Sequence, residues 1–462
     1  MIRVQTSGAV LLLLTLSGCK LGPDYKRPAL DVPGQYRGLA PNLDQQQLTG
    51  ASFAEMKWPA VYQDTVLQGL IKAALSNNYN VRIAAANIEQ ARASLGIVRA
   101  NQFPTLSGSY NKTNERSAQF PGAPTFDTMG LSLNYIVDFW GQYRRATEQA
   151  RATLLGTEYA RDVVLTTLIF NVASDYFQLR ELDDQLGVSQ QTVAIQKESL
   201  RLNTIGFKGG QYAITDVYQA QLLVQQAESS LISIQQSIEQ TENSLSILLG
   251  RNPGPIARGM KLADQPHLPE VPPGLPSSLL ERRPDVKEAE EALVAANAGV
   301  GVAKAAFFPQ ISLTGTFGAS STALTSFLQG PATFWSAGGT LTQPIFEGGR
   351  ISSNYRLAWA QRDAAELSYK QTVQDAFADV SNGLVGYRQS REYRKKIEEQ
   401  TATYAETSRL AEVQFRGGYV SFLQVLTTQQ QYFTSELTLA QAWFTELQTY
   451  AQLYQALGGG WE

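Results

Sequence analysis

The sequence predicts a mainly α-helical, internally duplicated chain that also carries a small set of membrane-type β-strands. Three observations predict it. Phe207-Lys208-Gly209-Gly210 opens a segment ending at Leu249-Gly250, and Phe415-Arg416-Gly417-Gly418 opens its counterpart, 208 residues on, ending at Leu457-Gly458. Between those ends Val217/Val425, Gln221/Gln429, Glu228/Glu436, Leu231/Leu439, Thr241/Thr449 and Leu245/Leu453 agree. Second, Gln142–Phe207 and Arg350–Phe415 contain no proline and read as helices of roughly 100 Å at 1.5 Å per residue. Third, four short segments alternate apolar with small or polar residues. A period this long marks a duplicated domain, not a solenoid of short repeats.

The N-terminus carries Arg3 and then one apolar block, Ala9–Leu16, too short to span a bilayer and shaped like a secretory signal. The block ends Leu16-Ser17-Gly18-Cys19, which resembles a bacterial lipobox. Cys19 is the sole cysteine, so the chain forms no internal disulfide. A lipobox implies cleavage before Cys19 and its modification by diacylglycerol and an N-acyl chain; no other cofactor is expected. Lys20, not aspartate, follows it, which in similar lipoproteins favours the outer membrane. Cleavage would remove only Arg3 from the charge count, leaving 37 basic against 41 acidic side chains. That balance points away from nucleic acid.

Residues 19–60 form an arm with Pro23, Pro28, Pro33 and Pro41 and no periodic pattern. The first repeat covers 61–250. It starts with a helix from about Val61 to Ala100, halted near Phe103-Pro104 because proline disfavours helix before it. Strands follow at about 105–115 and 128–139, joined by a turn-rich loop with Pro121, Gly122 and Pro124. Residues 251–276 are a proline-rich linker holding His267, the lone histidine. The second repeat, 277–458, has a helix from near Ser277 to Phe308-Pro309 and strands at about 310–320 and 334–346. A tail, 459–462, closes the chain.

The segment after each Gly-Gly pair has a heptad rhythm. Val217, Ala220, Val224, Ala227, Leu231, Ile234, Ile238, Leu245 and Leu248 step by threes and fours, with Thr241 the one polar interruption. Phe433, Leu437, Ala440, Phe444, Leu447, Ala451 and Tyr454 repeat it. The Gly-Gly pairs then fall at hairpin tips, where glycine permits a helix stop with positive φ.

The strands carry the second argument. About ten residues suffice for a tilted strand to cross a bilayer. Four strands cannot close a barrel, and open edges are not tolerated in lipid. Membrane strands therefore require an oligomer: two chains supply eight strands, three supply twelve. The rival readings are a soluble amphipathic sheet and a lipid-anchored coiled-coil scaffold without a pore. An enzyme is disfavoured, because one histidine excludes H-E-x-x-H and leaves little for a Ser-His-Asp triad.

Several stretches resemble one family. Leu279-Leu280-Glu281-Arg282-Arg283-Pro284-Asp285-Val286, Ala292 to Gly301, and Ala303-Lys304-Ala305-Ala306-Phe307-Phe308-Pro309-Gln310-Ile311-Ser312-Leu313-Thr314-Gly315 are similar to the signature of TolC-like outer membrane efflux proteins. Gly22-Pro23-Asp24-Tyr25-Lys26-Arg27-Pro28, Pro344-Ile345-Phe346-Glu347-Gly348-Gly349-Arg350 and Ala456-Leu457-Gly458-Gly459-Gly460-Trp461 resemble its NodT-type lipoprotein branch. The resemblance implies a homotrimer with a twelve-stranded barrel on an α-helical tube, anchored in outer membrane lipid. It also implies docking to a periplasmic adaptor and an inner-membrane pump of the resistance-nodulation-division class, with passive conduction through a gate at the hairpin tips. Asp216 is the candidate for a ring of carboxylates there; a solvated charge near a helix start is the alternative. Where family members commonly carry aspartate in the second tip, this chain has Gln424 or Thr427, which implies a gate held by hydrogen bonds. Lys208, Gly209, Gly210, Arg416, Gly417, Gly418 and Tyr419 are candidates for tip locking or adaptor contact.

Overall fold

The computed structural model describes residues 19–37, 53–114, 125–266, 273–274, 276–322 and 332–461. Its helices are α1 (Trp58–Val61), α2 (Thr65–Asn77), α3 (Tyr79–Ala100), α4 (Gln142–Lys208), α5 (Ile214–Leu248), α6 (Pro276–Arg282), α7 (Pro284–Ala305), α8 (Arg350–Arg416) and α9 (Phe422–Ala456). Its strands are β1 (Thr105–Asn114), β2 (Thr125–Val137), β3 (Gln310–Ser321) and β4 (Thr333–Thr342). The duplication is visible in the lengths: α4 and α8 have 67 residues each, α5 and α9 have 35 each. No helix among the described residues is long and apolar enough to cross a membrane.

The chain divides into two compact units, each drawing on both repeats. One comprises the residues up to Leu30, Ala86–Glu158 and Glu288–Gln371, and holds the sheet. The other comprises Asp31–Ala85, Tyr159–Lys287 and Thr372–Glu462, and holds the α4–α5 and α8–α9 turns.

In the sheet-bearing unit the strand order is β1-β2-β3-β4, all antiparallel. The β1–β2 and β3–β4 hairpins are the two expected ones, and β2–β3 pairing joins the repeats. The limits differ from expectation. β2 begins at Thr125, and β4 stops at Thr342 before Pro344, which has no N–H for a ladder bond. β2 ends at Val137 because the Asp138 carboxylate caps α4, accepting from the N–H groups of Tyr143 and Arg144 at 3.1 and 2.9 Å.

In the other unit the seam behaves as its rhythm requires. Ala220, Val224, Ala227, Ile234, Ile238, Thr241 and Leu245 are buried in α5, as are Phe433, Ala440, Phe444, Leu447, Ala451 and Tyr454 in α9; Val217, Leu231, Leu248 and Leu437 are half-buried. Thr241 tolerates burial because its hydroxyl donates to the Ser237 carbonyl at 2.8 Å. Arg394 of α8 is held inside by the Glu446 carboxylate of α9 and lies 4.0 Å from the Trp443 ring centroid.

The single helix expected over Val61–Ala100 is three. Asp64 breaks it first, capping α2 through the N–H groups of Val66 and Leu67. Burial opposes the charge of this carboxylate, but hydrogen bonds from Tyr176 (2.7 Å), Gln265 (3.0 Å), and the Met260 and Val66 N–H groups (2.8 Å each) outweigh it and hold the acid below its usual range. Asn78 breaks it again, capping α3 while donating to the Leu248 carbonyl at 2.8 Å. The helix expected from Ser277 to Phe308 is likewise two, because Pro284 starts α7 and lacks the donor that would continue α6. Within the arm, Phe53–Glu55 is a short 3-10 turn. The signal segment, Pro41, Pro121, Gly122, Pro124, His267 and Gly330-Pro331 lie outside the described residues.

Candidate functional site

The sheet has two chemically opposite faces, and the register shows how. On one face Leu106 pairs with Leu133, and Leu131 with Phe317, which pairs with Trp335. Met129, Tyr110, Leu313 and Leu341 extend this face, and all these side chains are exposed, Trp335 at 77%. The other face is a hydroxyl ladder. Ser107 and Ser132 share a hydrogen bond of 2.8 Å, Thr316 and Ser336 one of 2.7 Å, Thr128 and Ser320 one of 3.2 Å, and Ser312 donates to Asn134 at 3.3 Å. A soluble sheet turns its apolar face inward; this one leaves it uncovered while satisfying the polar face with itself. That is the pattern of a strand set with lipid on one side and water on the other. β1 and β4 each pair along one edge only.

Cys19 is exposed in the same unit. Its carbonyl accepts from Arg144 at 3.4 Å, Lys20 pairs with Glu148 at 2.5 Å, and the Leu21 N–H donates to the Trp140 carbonyl at 3.2 Å. Trp140 lies just past the end of β2, and its indole donates to the Pro309 carbonyl, just before β3, at 2.8 Å. Cys19 thus emerges beside the junction of strands and helices.

In the other unit both tips are built alike. After α4 the Gly209, Gly210 and Gln211 N–H groups return to the carbonyls of Ile205, Phe207 and Gly206; after α8 those of Gly417, Gly418 and Tyr419 return to Val413, Phe415 and Gln414. Gly210 (φ 74°) and Gly418 (φ 78°) take the left-handed conformation that ends each helix. Asp216 is half-buried and has a local partner: its carboxylate accepts from the Ala213 N–H at 3.1 Å, closing the first turn of α5. Gln424 is exposed, and the Thr427 hydroxyl donates to the Leu423 carbonyl of its own helix at 2.9 Å. Lys208 is exposed, Arg416 pairs with Glu412, and Tyr419 is 85% exposed.

The sequence did not single out what ties the tips together. The Tyr212 ring lies 5.7 Å from Phe415, which lies 5.4 Å from Phe422. Phe422 in turn forms a small core with Ala220, Ala411, Val425 and Leu426, against which Phe415 packs. Gly206 makes room for Tyr212, since a Cβ there would collide with its ring. The available signal was a glycine one residue before Phe207 and a tyrosine two residues after Gly210.

The profile of the outer membrane efflux protein family matches residues 70–251 and 275–459. The solvent efflux pump outer membrane protein SrpC of Pseudomonas putida is 35% identical over 459 residues, covering 97% of both chains. The cation efflux system protein CusC of Escherichia coli O6:H1 is 31% identical, again over 97% of both. Among solved structures, the open state of the Neisseria gonorrhoeae MtrE outer membrane channel superposes with a TM-score of 0.87 at 28% identity, covering 96% of this chain and 99% of that one.

Proposed function

The chain belongs to the outer membrane efflux protein family, and from that premise we propose that three copies share one twelve-stranded barrel that serves as the exit duct of a tripartite pump. It is an outer-membrane efflux channel, mainly helical with four strands among the described residues. One observation carries the need for partner copies: among the described residues the sheet has an uncovered apolar face and two edges without a partner strand. Unpaired edges in lipid cost several kcal/mol per orphaned group, so β1 of one copy pairs with β4 of the next. Conduction is passive. An inner-membrane pump supplies the energy and selects the cargo, and a periplasmic adaptor joins it to the Gly-Gly tips through the exposed Tyr419, Lys208 and Arg416. Acyl chains on Cys19 add an anchor, each buried CH₂ contributing about 0.8 kcal/mol.

The gate is assigned to the tips, with Asp216 from each copy facing the axis. Its bond to Ala213 leaves the second carboxylate oxygen to act on passing cations. The test begins with the mass of the detergent-extracted protein and its conductance in planar bilayers. A trimer that conducts supports the duct; a monomer without conductance leaves the anchored scaffold. In conducting protein, Asp216→Asn should relieve block by divalent cations, and unchanged block would remove Asp216 from the gate.

A further inference from the structure

The Gly22–Pro28 motif is not absorbed by conduction, yet the fold is built to receive it. Gly22 takes φ 96°, and a Cβ there would run into the Cα of Gly301 in α7. A Cβ on Gly301 would in turn lie 2.8 Å from both the Leu21 carbonyl oxygen and Cγ of Arg145. Backbone therefore meets backbone, with no room for a side chain on either. The Arg145 side chain is 1% exposed and spends its donors on the arm: Nε on the Leu21 carbonyl at 3.0 Å, Nη2 on the Gly22 carbonyl at 3.3 Å and the Asp24 carboxylate at 2.8 Å. Its remaining partner is Glu148 at 3.0 Å. Asn297, 4% exposed, donates to the Pro23 carbonyl at 2.9 Å. Tyr25 donates to Glu290 at 2.9 Å, and Arg27 grips the same carboxylate at 2.7 and 2.6 Å.

We propose that Arg145, Asn297, Gly301 and Glu290 form a docking cleft for the mature N-terminal arm, and that the seated arm makes the lipid on Cys19 a placement pin instead of a loose tether. This rests on the acylation of Cys19. The surface pairs alone would not hold an arm firmly. The buried guanidinium does, because an empty cleft strips it of two carbonyls and a carboxylate. With Leu21 held, Cys19 is two peptide units from a fixed point, a reach of about 7 Å. Undocked, the twelve residues Cys19–Leu30 would wander over roughly 20 Å. The acyl chains therefore enter the bilayer beside Trp140, at the β2–α4 junction.

The experiment uses the full chain exported in a Gram-negative host, with acylation read from the mass of the mature N-terminal peptide. Gly301→Ala should unseat the arm, speeding trypsin cleavage after Lys26 at least tenfold and lowering the assembled fraction in the outer membrane severalfold. A Gly-Ser-Gly-Ser insertion between Lys20 and Leu21 leaves the cleft and the lipid intact but frees Cys19. It should keep Lys26 protected and still lower assembly severalfold. Assembly unchanged by the insertion overturns the pin and leaves a tether. Cleavage unchanged in Gly301→Ala overturns the cleft; where that variant fails to fold, Asp24→Asn gives the same comparison. A mature chain without acyl mass overturns the pin together with the lipid reading, while the cleavage rates still report on the cleft.

Discussion

Glu181 and Asp175 are acids that neither repeat nor motif announces. Both lie in α4, Glu181 only 3% exposed. Burial, followed by the charge of Asp184, pushes the Glu181 carboxyl up to about 7, and burial alone pushes Asp175 up to about 6. An acid whose folded-state pKa is raised favours folding most fully below its unfolded value and loses that contribution as pH climbs through the folded one. For Glu181 the window runs from the ordinary 4.5 to about 7. The shift corresponds to roughly 3 kcal/mol lost by pH 8. Glu181→Gln keeps an acceptor for Gln185 and removes the titration. It should raise the thermal midpoint of the detergent-solubilised protein at pH 8 by several degrees and at pH 5 by much less. An equal gain at both pH values would mean that Glu181 does not titrate in this range. The place of Asp216 at a helix start was legible because it stands three residues into a helix after a Gly-Gly stop. Glu181 was not, because nothing in the local sequence marks which carboxylates of a 67-residue helix are buried.

The elements were legible in proportion to how local their causes are. α4 and α8 end one residue from their expected limits, since the Gly-Gly stop lies within the segment itself. The breaks at Asp64 and Asn78 were invisible, because Tyr176, Met260, Gln265 and Leu248 complete them from far along the chain. The tip joint is of the same kind. A glycine inside a helix ordinarily costs about 1 kcal/mol against alanine, so Gly206→Ala would stabilise α4 if helix propensity decided. Here the new methyl displaces the half-buried Tyr212 ring from Phe415, forfeiting packing worth up to about 1.5–3 kcal/mol, the figure for a fully buried side chain. Burial should win. Amide exchange at Gln211, whose N–H donates to the Gly206 carbonyl at 2.9 Å, should quicken about tenfold in the variant while the middle of α4 is unaffected. Exchange unchanged or slowed at Gln211 would show that the ring is not what holds the tip.

For the whole molecule, strand length and period-two alternation gave the kind of sheet, and counting strands gave the need for partners. Neither gave β2–β3 pairing, which makes one sheet of two hairpins and leaves β1 and β4 as its edges. That pairing fixes which residues share a face, so neighbours in sequence have opposite fates. Leu131 stands on the exposed apolar face against Gly108 and Phe317, while Ser132 stands on the hydroxyl ladder against Ser107 and Thr316. If the apolar face meets lipid, an aspartate at Leu131 places a carboxylate in hydrocarbon, at a cost per copy below the about 2–4 kcal/mol of a lysine or arginine at the midplane of a barrel. Three copies incur that cost three times. An aspartate at Ser132 meets water in the barrel interior and costs little. Leu131→Asp should therefore abolish assembly in the outer membrane, while Ser132→Asp should assemble normally and shift the ion preference of the channel toward cations. Equal assembly of the two variants would mean that neither face meets lipid. Loss of Ser132→Asp alone would turn the sheet inside out and make the hydroxyl ladder, not the aromatic face, the packed surface.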